Sequence, residues 1–302
     1  MRKILGGLFC LLLAFGPAAV QAQETLLKPF VLASKGTGEV AAKADEVKAA
    51  LAKNGFTLAG SYSPYPNAVV IVVTNDEMRT AAAKSELGGF GAAQRVSVTK
   101  VGDEVQVAYT NPVYMANAYR MADDMKGVAA KLQAALGRIE AFGSSGHYPN
   151  QLRKYHYMIG MEYFDEPSLL ASYGSHDEAV KAVENGLAAA RQGVSKVYRV
   201  DLPGKKEALF GVAMKGDGEE GRYRDDKYIM SVIDFKELKS TPHLPYEMLV
   251  ADNKVYALYA RFRIAINFPD LSMMGDNSFM RIKPAPEAIR KALLKTAGGK
   301  ED

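Results

Sequence analysis

The chain has 302 residues, with 38 Lys and Arg against 34 Asp and Glu, a formal charge of +4. So even a balance offers no basic face for nucleic acid, and a single cysteine, Cys10, excludes an internal disulfide or a thiolate metal cage. A chain this long can bury one large or two medium cores, and after its first residues no run is apolar enough to cross a bilayer.

Residues 1–22 have the form of a secretory signal: Arg2 and Lys3, an apolar run over 4–15, and the small-residue site Val20-Gln21-Ala22. Cleavage after Ala22 is expected, placing a soluble, cysteine-free mature chain in the periplasm or outside the cell. A short strand is then predicted at 30–34. A helix follows over 39–54, where Ala44, Val47, Ala50 and Leu51 share one face and Asn54-Gly55 stops it. Residues 57–62 read as a strand, and the apolar, β-branched run 68–73 as a strand in the sheet centre. Asn75 caps a helix over 76–85, and the glycine-rich turn 88–91 leads to a hairpin, 95–101 and 105–110, turning at Gly102-Asp103. Asn111-Pro112 opens a helix drawn as far as Leu136.

Residues 142–150 (FGSSGHYPN) read as a linker. Beyond it the order repeats: a strand at 154–164, a helix at 175–192 with the capping box Ser175 and Glu178, and strands at 194–200 and 207–214. A charged loop covers 216–226. Residues 228–233 and 234–239 are expected to mirror the strand and helix of 69–85. The longest alternating run, 243–269, is predicted as a second hairpin turning at Asp252-Asn253, and a helix closes the chain at 286–296. The expected fold is therefore α+β: two similar halves, each an antiparallel-rich sheet with helices packed on one face, over 23–141 and 154–302 with a linker at 142–153. The second copy carries an extra strand and loop, at about 207–226.

Three stretches carry a family resemblance: Lys53-Asn54-Gly55-Phe56, the hairpin ending Tyr109-Thr110-Asn111-Pro112, and His243-Leu244-Pro245 leading into the second hairpin. With them the chain resembles a tandem, two-copy member of domain-of-unknown-function family 302, over most of its mature length. The second copy departs at Phe268-Pro269, where the first has Asn-Pro. The resemblance implies a compact α+β fold and brings no catalytic residues.

Two constellations could carry chemistry. On the long strand, Arg261 and Arg263 would project from one face with Tyr259 and Asn267 beside them, a pair of guanidiniums able to grip a carboxylate, sulfate or phosphate. The plainer alternative is a wet sheet face. His156 and Met158 would point the same way along 154–164, an imidazole and a thioether suited to a soft ion such as Cu(I); the plainer alternative is methionine as core filler. The five carboxylates of 216–226 lack the spacing of a calcium loop. No nucleophile elbow, H-E-x-x-H or phosphate loop is present. The expectation is an exported, non-catalytic binding or accessory module with a cleft or surface between the halves, taking a small anionic or apolar ligand and able to form a homodimer. Copper handling through His156 and Met158 is the alternative, and no motif names a cofactor.

Overall fold

The computed structural model describes residues 25–301, so the predicted signal segment, with Cys10 and the cleavage site, lies outside the described residues. The first sheet is built from β1 (Phe30–Gly36), β2 (Thr57–Tyr62), β3 (Ala68–Thr74), β4 (Gln94–Val101) and β5 (Glu104–Thr110). Helix α1 (Val40–Lys53) sits between β1 and β2, α2 (Asp76–Ala83) between β3 and β4, and α3 (Pro112–Ala118) and α4 (Lys126–Leu136) follow β5. A three-residue strand β6 (Glu140–Phe142) then pairs with the outer edge of β1, giving the order β2-β3-β4-β5-β1-β6, antiparallel throughout.

After the short helix α5 (Pro149–Leu152), the second sheet uses β7 (Ser168–Ser172), β8 (Val194–Asp201), β9 (Glu207–Met214), β10 (Tyr246–Ala251) and β11 (Lys254–Ala257), in the order β7-β11-β10-β9-β8. Helix α6 (His176–Ala188) joins β7 to β8. The one-turn α7 (Gly218–Gly221) and α8 (Asp226–Ile233) join β9 to β10, and α9 (Ala260–Asn267) and α10 (Ala285–Thr296) follow β11. Strand for strand, this is the topology of the first sheet without β6. The α+β architecture with two antiparallel sheets is as the sequence indicates.

Local chemistry explains the elements the two halves share. Helix α1 buries Ala44, Val47 and Leu51, the spacing of a single apolar stripe. Asn75 accepts a hydrogen bond from Met78 N at 2.8 Å, and Asp225 accepts one from Tyr228 N at 2.8 Å, so α2 and α8 start on the same side-chain cap. Ser175 does the same for α6, accepting from Glu178 N at 3.2 Å.

Several expectations are corrected. Residues 154–164 form turns instead of a strand, with Gly160 at φ +81°; their role is to seat Phe164 against Tyr119 and Phe262. The first strand of the second half is β7. The mirror of β3 is β9, while 228–233 is helical, so β9 is no extra strand and the insertion is confined to the segment between β9 and α8. The helix expected from Pro112 to Leu136 is two helices: Arg120 and Met125 have positive φ, and the Asp123 and Asp124 carboxylates accept from Met125 N and Lys126 N. Phe142, placed in the linker, belongs to β6.

The largest correction is the long strand. β11 stops at Ala257, and Ala260–Asn267 is a helix in which every residue but Arg261 is buried. A helix enclosed on all sides has no wet face, so its sequence loses the 3.6-residue period, and alternating Ile and Phe then imitate a strand.

Each sheet carries its long helix, α1 or α6, on one face and turns the other towards the opposite half. The joint is reciprocal. The segment between α2 and β4 (Gly88–Gly91) lies on β9 and β10, and the segment between α8 and β10 (Thr241–His243) lies on β3, β4 and β5. Edge strands β2 and β8 meet at their bulges: a Cβ on Gly60 would stand 2.2 Å from Val197 O, so only glycine permits this approach. One continuous hydrophobic cluster runs through both halves.

Candidate ligand groove between the two halves

The inner face of β4 carries Arg95 and Thr99, both buried, where an apolar face would be expected. Each finds its partner in the other half. Arg95 Nη1 donates to Glu247 Oε1 at 2.9 Å and its Nε to Pro242 O at 2.8 Å. Glu247 also accepts from Tyr198 OH at 2.8 Å and from Arg263 Nη1 at 2.8 Å. Arg263 further donates to Pro245 O at 2.9 Å and His243 O at 2.5 Å. Arg95, Glu247 and Arg263 are each no more than 3% exposed. Two guanidiniums share one buried carboxylate, and the Arg95–Glu247 pair holds the halves in one register, since losing Glu247 strands both buried cations. Burial, then the charges of Arg263 and Arg95, push the His243 imidazole well below its usual range, so it stays neutral here. Burial likewise pushes the Asp226 carboxyl up to about 7, although it accepts from Met214 N and Tyr62 OH.

Beside this joint opens a groove of about 470 Å³. The first half contributes Tyr65 and Asn67 from the β2–β3 turn and Thr99 and Lys100 from β4. The second contributes Lys227, Met230 and Ser231 from α8, with Asp234, Phe235 and Lys239 beyond it. Tyr65 OH and Thr99 Oγ1 both meet Thr241 Oγ1 at 2.9 Å, which fixes the wall between the halves. Gln106 continues that wall, donating to Glu237 O at 3.1 Å and accepting from Lys239 N at 3.0 Å. Lys239 Nζ donates to Asp234 O at 3.0 Å, and Lys100 Nζ lies 3.3 Å from Glu39. Phe235 is 48% exposed, an aromatic face left open to the groove. Burial pushes the Asp234 carboxyl up to about 7; its Oδ1 accepts from Ser240 N at 2.8 Å, while its buried Oδ2 has no protein partner. Three lysines beside an aromatic and a thioether can hold the anionic end of a small molecule while covering its apolar part.

The residues singled out from the sequence do not assemble. Arg263 is consumed by Glu247, and Asn267, fully buried, donates to Arg263 O at 2.9 Å. Arg261 is paired with Glu162 and lies over the Tyr259 ring, 5.3 Å from its centroid. The arginines lie on a helix, and only Arg261 reaches its outer side. Because Met158 O can only accept, the His156 imidazole Nδ1–H donates to it at 2.9 Å, and the Met158 side chain is half exposed. Both stand on a surface loop. Sequence reasoning passed over Arg95 and Glu247, for which one signal existed. Glu247 is the lone charge in an apolar strand, YEMLVA, and a buried carboxylate needs a cation.

No protein-family model matches the chain, and neither a curated protein nor a solved structure matches it.

Proposed function

We propose that this chain is an exported, non-catalytic binding module, periplasmic or secreted, that holds a small organic anion with an apolar part in the groove between its two halves. The observation that carries the reading is that residues of both halves line the groove while the Arg95–Glu247–Arg263 network fixes one half against the other. A groove preformed in this way spends little of its binding energy on ordering its walls. The proposal includes membership, as a two-copy chain, of domain-of-unknown-function family 302, which the repeated strand order supports.

The test is native mass spectrometry of the mature protein purified from its own exported fraction, with elemental analysis, beside a Ser231→Trp variant that fills the groove. The expected result is a bound organic anion in the natural chain and its loss in the variant. An anion retained equally by both proteins sinks the groove. Stoichiometric copper that disappears in His156→Ala would move the function to metal handling.

A further inference from the structure

Every open sheet has edges whose unpaired backbone groups must be covered or used. In the first sheet, β1 would be such an edge, but β6 adds to it: Phe142, Ala141 and Glu140 pair antiparallel with Phe30, Val31 and Leu32. Strands β2 and β8, at the ends of the two sheets, pack against one another near Gly60 and Val197. The remaining long edge is β7, the counterpart of β1, and among the described residues no strand is added to it.

Along β7 runs a groove of about 660 Å³. All of Leu169 to Tyr173 lines one wall, Glu287, Arg290, Lys291 and Leu294 of α10 the other, and residues 298–301 its end; Arg290 donates to Glu287 at 2.8 and 2.7 Å. Tyr173 N donates inward to Asn253 O at 2.9 Å, so the alternation of an antiparallel strand turns Ser172 N–H outward. Leu169 is 49% exposed at the groove. Residues 298–301 pass close to Leu170 O at Gly299 without a backbone hydrogen bond to β7; they are held instead by Tyr173 OH on Ala297 O and by Gly299 N on Leu294 O.

We propose that β7 is a strand-addition site: an extended peptide segment of a partner lies between β7 and α10 and hydrogen-bonds to Ser172 as an added strand. Main-chain bonds to an edge give such a complex its affinity, and the flanking wall reads alternate side chains. Here that wall offers Leu169 and Leu294 to the apolar side chains of the added strand, while its charges are already matched, Arg290 by Glu287 and Lys291 by Glu301. The chain itself shows that this position of the fold accepts a strand, since β6 takes it in the first half. A second copy of the chain fits poorly: approaching β7 edge-on, it would bring its own α10 and residues 298–301 against those of the first, whereas a lone extended segment carries no such bulk.

The test is amide hydrogen exchange and chemical-shift titration of the full mature chain with three octapeptide probes: the chain's own segment 138–145 (RIEAFGSS), an alternating Thr-Val peptide and an alternating Glu-Val peptide. At least one probe, with Thr-Val expected strongest because the charges of the groove wall are already paired, should slow exchange at Ser172. Ser172→Pro, which removes the outward N–H but no inward ladder bond, should weaken that probe about tenfold, as loss of a main-chain bond implies, whereas Ser172→Ala should keep it. Absence of protection by all three probes at millimolar concentration overturns the proposal. So does protection of Ser172 that rises with protein concentration alone, alongside dimer mass by light scattering, because the occupant would then be a second copy.

Discussion

Arg95 and Glu247 stand 152 positions apart, one in each half, and meet at 2.9 Å with both side chains almost wholly out of water. Arg95 is not tolerable in that place without Glu247, whereas Glu247 keeps Arg263 of its own half, so the pair ties the folding of the first half to the presence of its neighbour.

Removing the carboxylate should therefore cost far more than a surface ion pair. Glu247→Ala leaves Arg95 and Arg263 buried without a counter-charge and is expected to lose about 3–5 kcal/mol, read as a lowered urea midpoint. The triple replacement of Arg95, Glu247 and Arg263 by Met should recover most of that loss. A single-variant loss below about 1 kcal/mol would show that water reaches the cluster, as at exposed pairs.

Gly60 tests the closeness of the edge strands. Its hydrogen faces Val197 O where a Cβ would be 2.2 Å away, so Gly60→Val must push β2 from β8. The expected cost is about 1–3 kcal/mol, with faster exchange at the Tyr198 amide. An unchanged midpoint would mean that the two strands part freely.

The two buried carboxyls should contribute stability that falls as pH rises through neutrality. Asp226 is pushed up to about 7 in the folded state, mainly by burial, from about 3.9 in an unfolded chain. The native state thus binds the proton more tightly; this contribution is complete below pH of about 4 and is lost as pH climbs through about 7. Asp234, raised to about 7 for the same first cause, adds in the same direction. His243, held well below its usual range by burial, acts in the opposite direction, so the test is a difference. The gap in urea midpoint between the natural chain and Asp226→Asn should change between pH 5 and pH 8 in favour of the natural chain at pH 5, and a gap independent of pH would contradict the burial of this carboxyl.

Lys227, exposed at the start of α8, lines the groove between the halves. Lys227→Glu should weaken the anion recovered with the natural protein about tenfold at low salt, and the difference should shrink at high ionic strength because exposed charges are screened. Calorimetry at two salt concentrations measures both effects, and equal affinities in the two proteins would remove Lys227 from the site.

Much of the architecture can be read along the chain because it is written in short-range chemistry. The helix caps at Asn75 and Ser175, the apolar stripe of α1, the hairpin turn at Gly102-Asp103 and the repeated order each depend on residues a few positions apart. Reading fails where burial hides the period. Helix α9, enclosed on all sides, looks like a strand, and 154–164 looks like a strand until Phe164 is seen filling the joint.

The sequence by itself determined the class of fold and the duplication, because hydrophobic period and turn chemistry are local. Only the tertiary structure decided what the charged residues do. Arg263, which reads as one arm of an anion grip, is spent on Glu247, and Lys100 and Lys227 become neighbours across a groove although 127 positions separate them. The partner of a buried charge is set by how two sheets meet face to face, and no local pattern encodes that meeting.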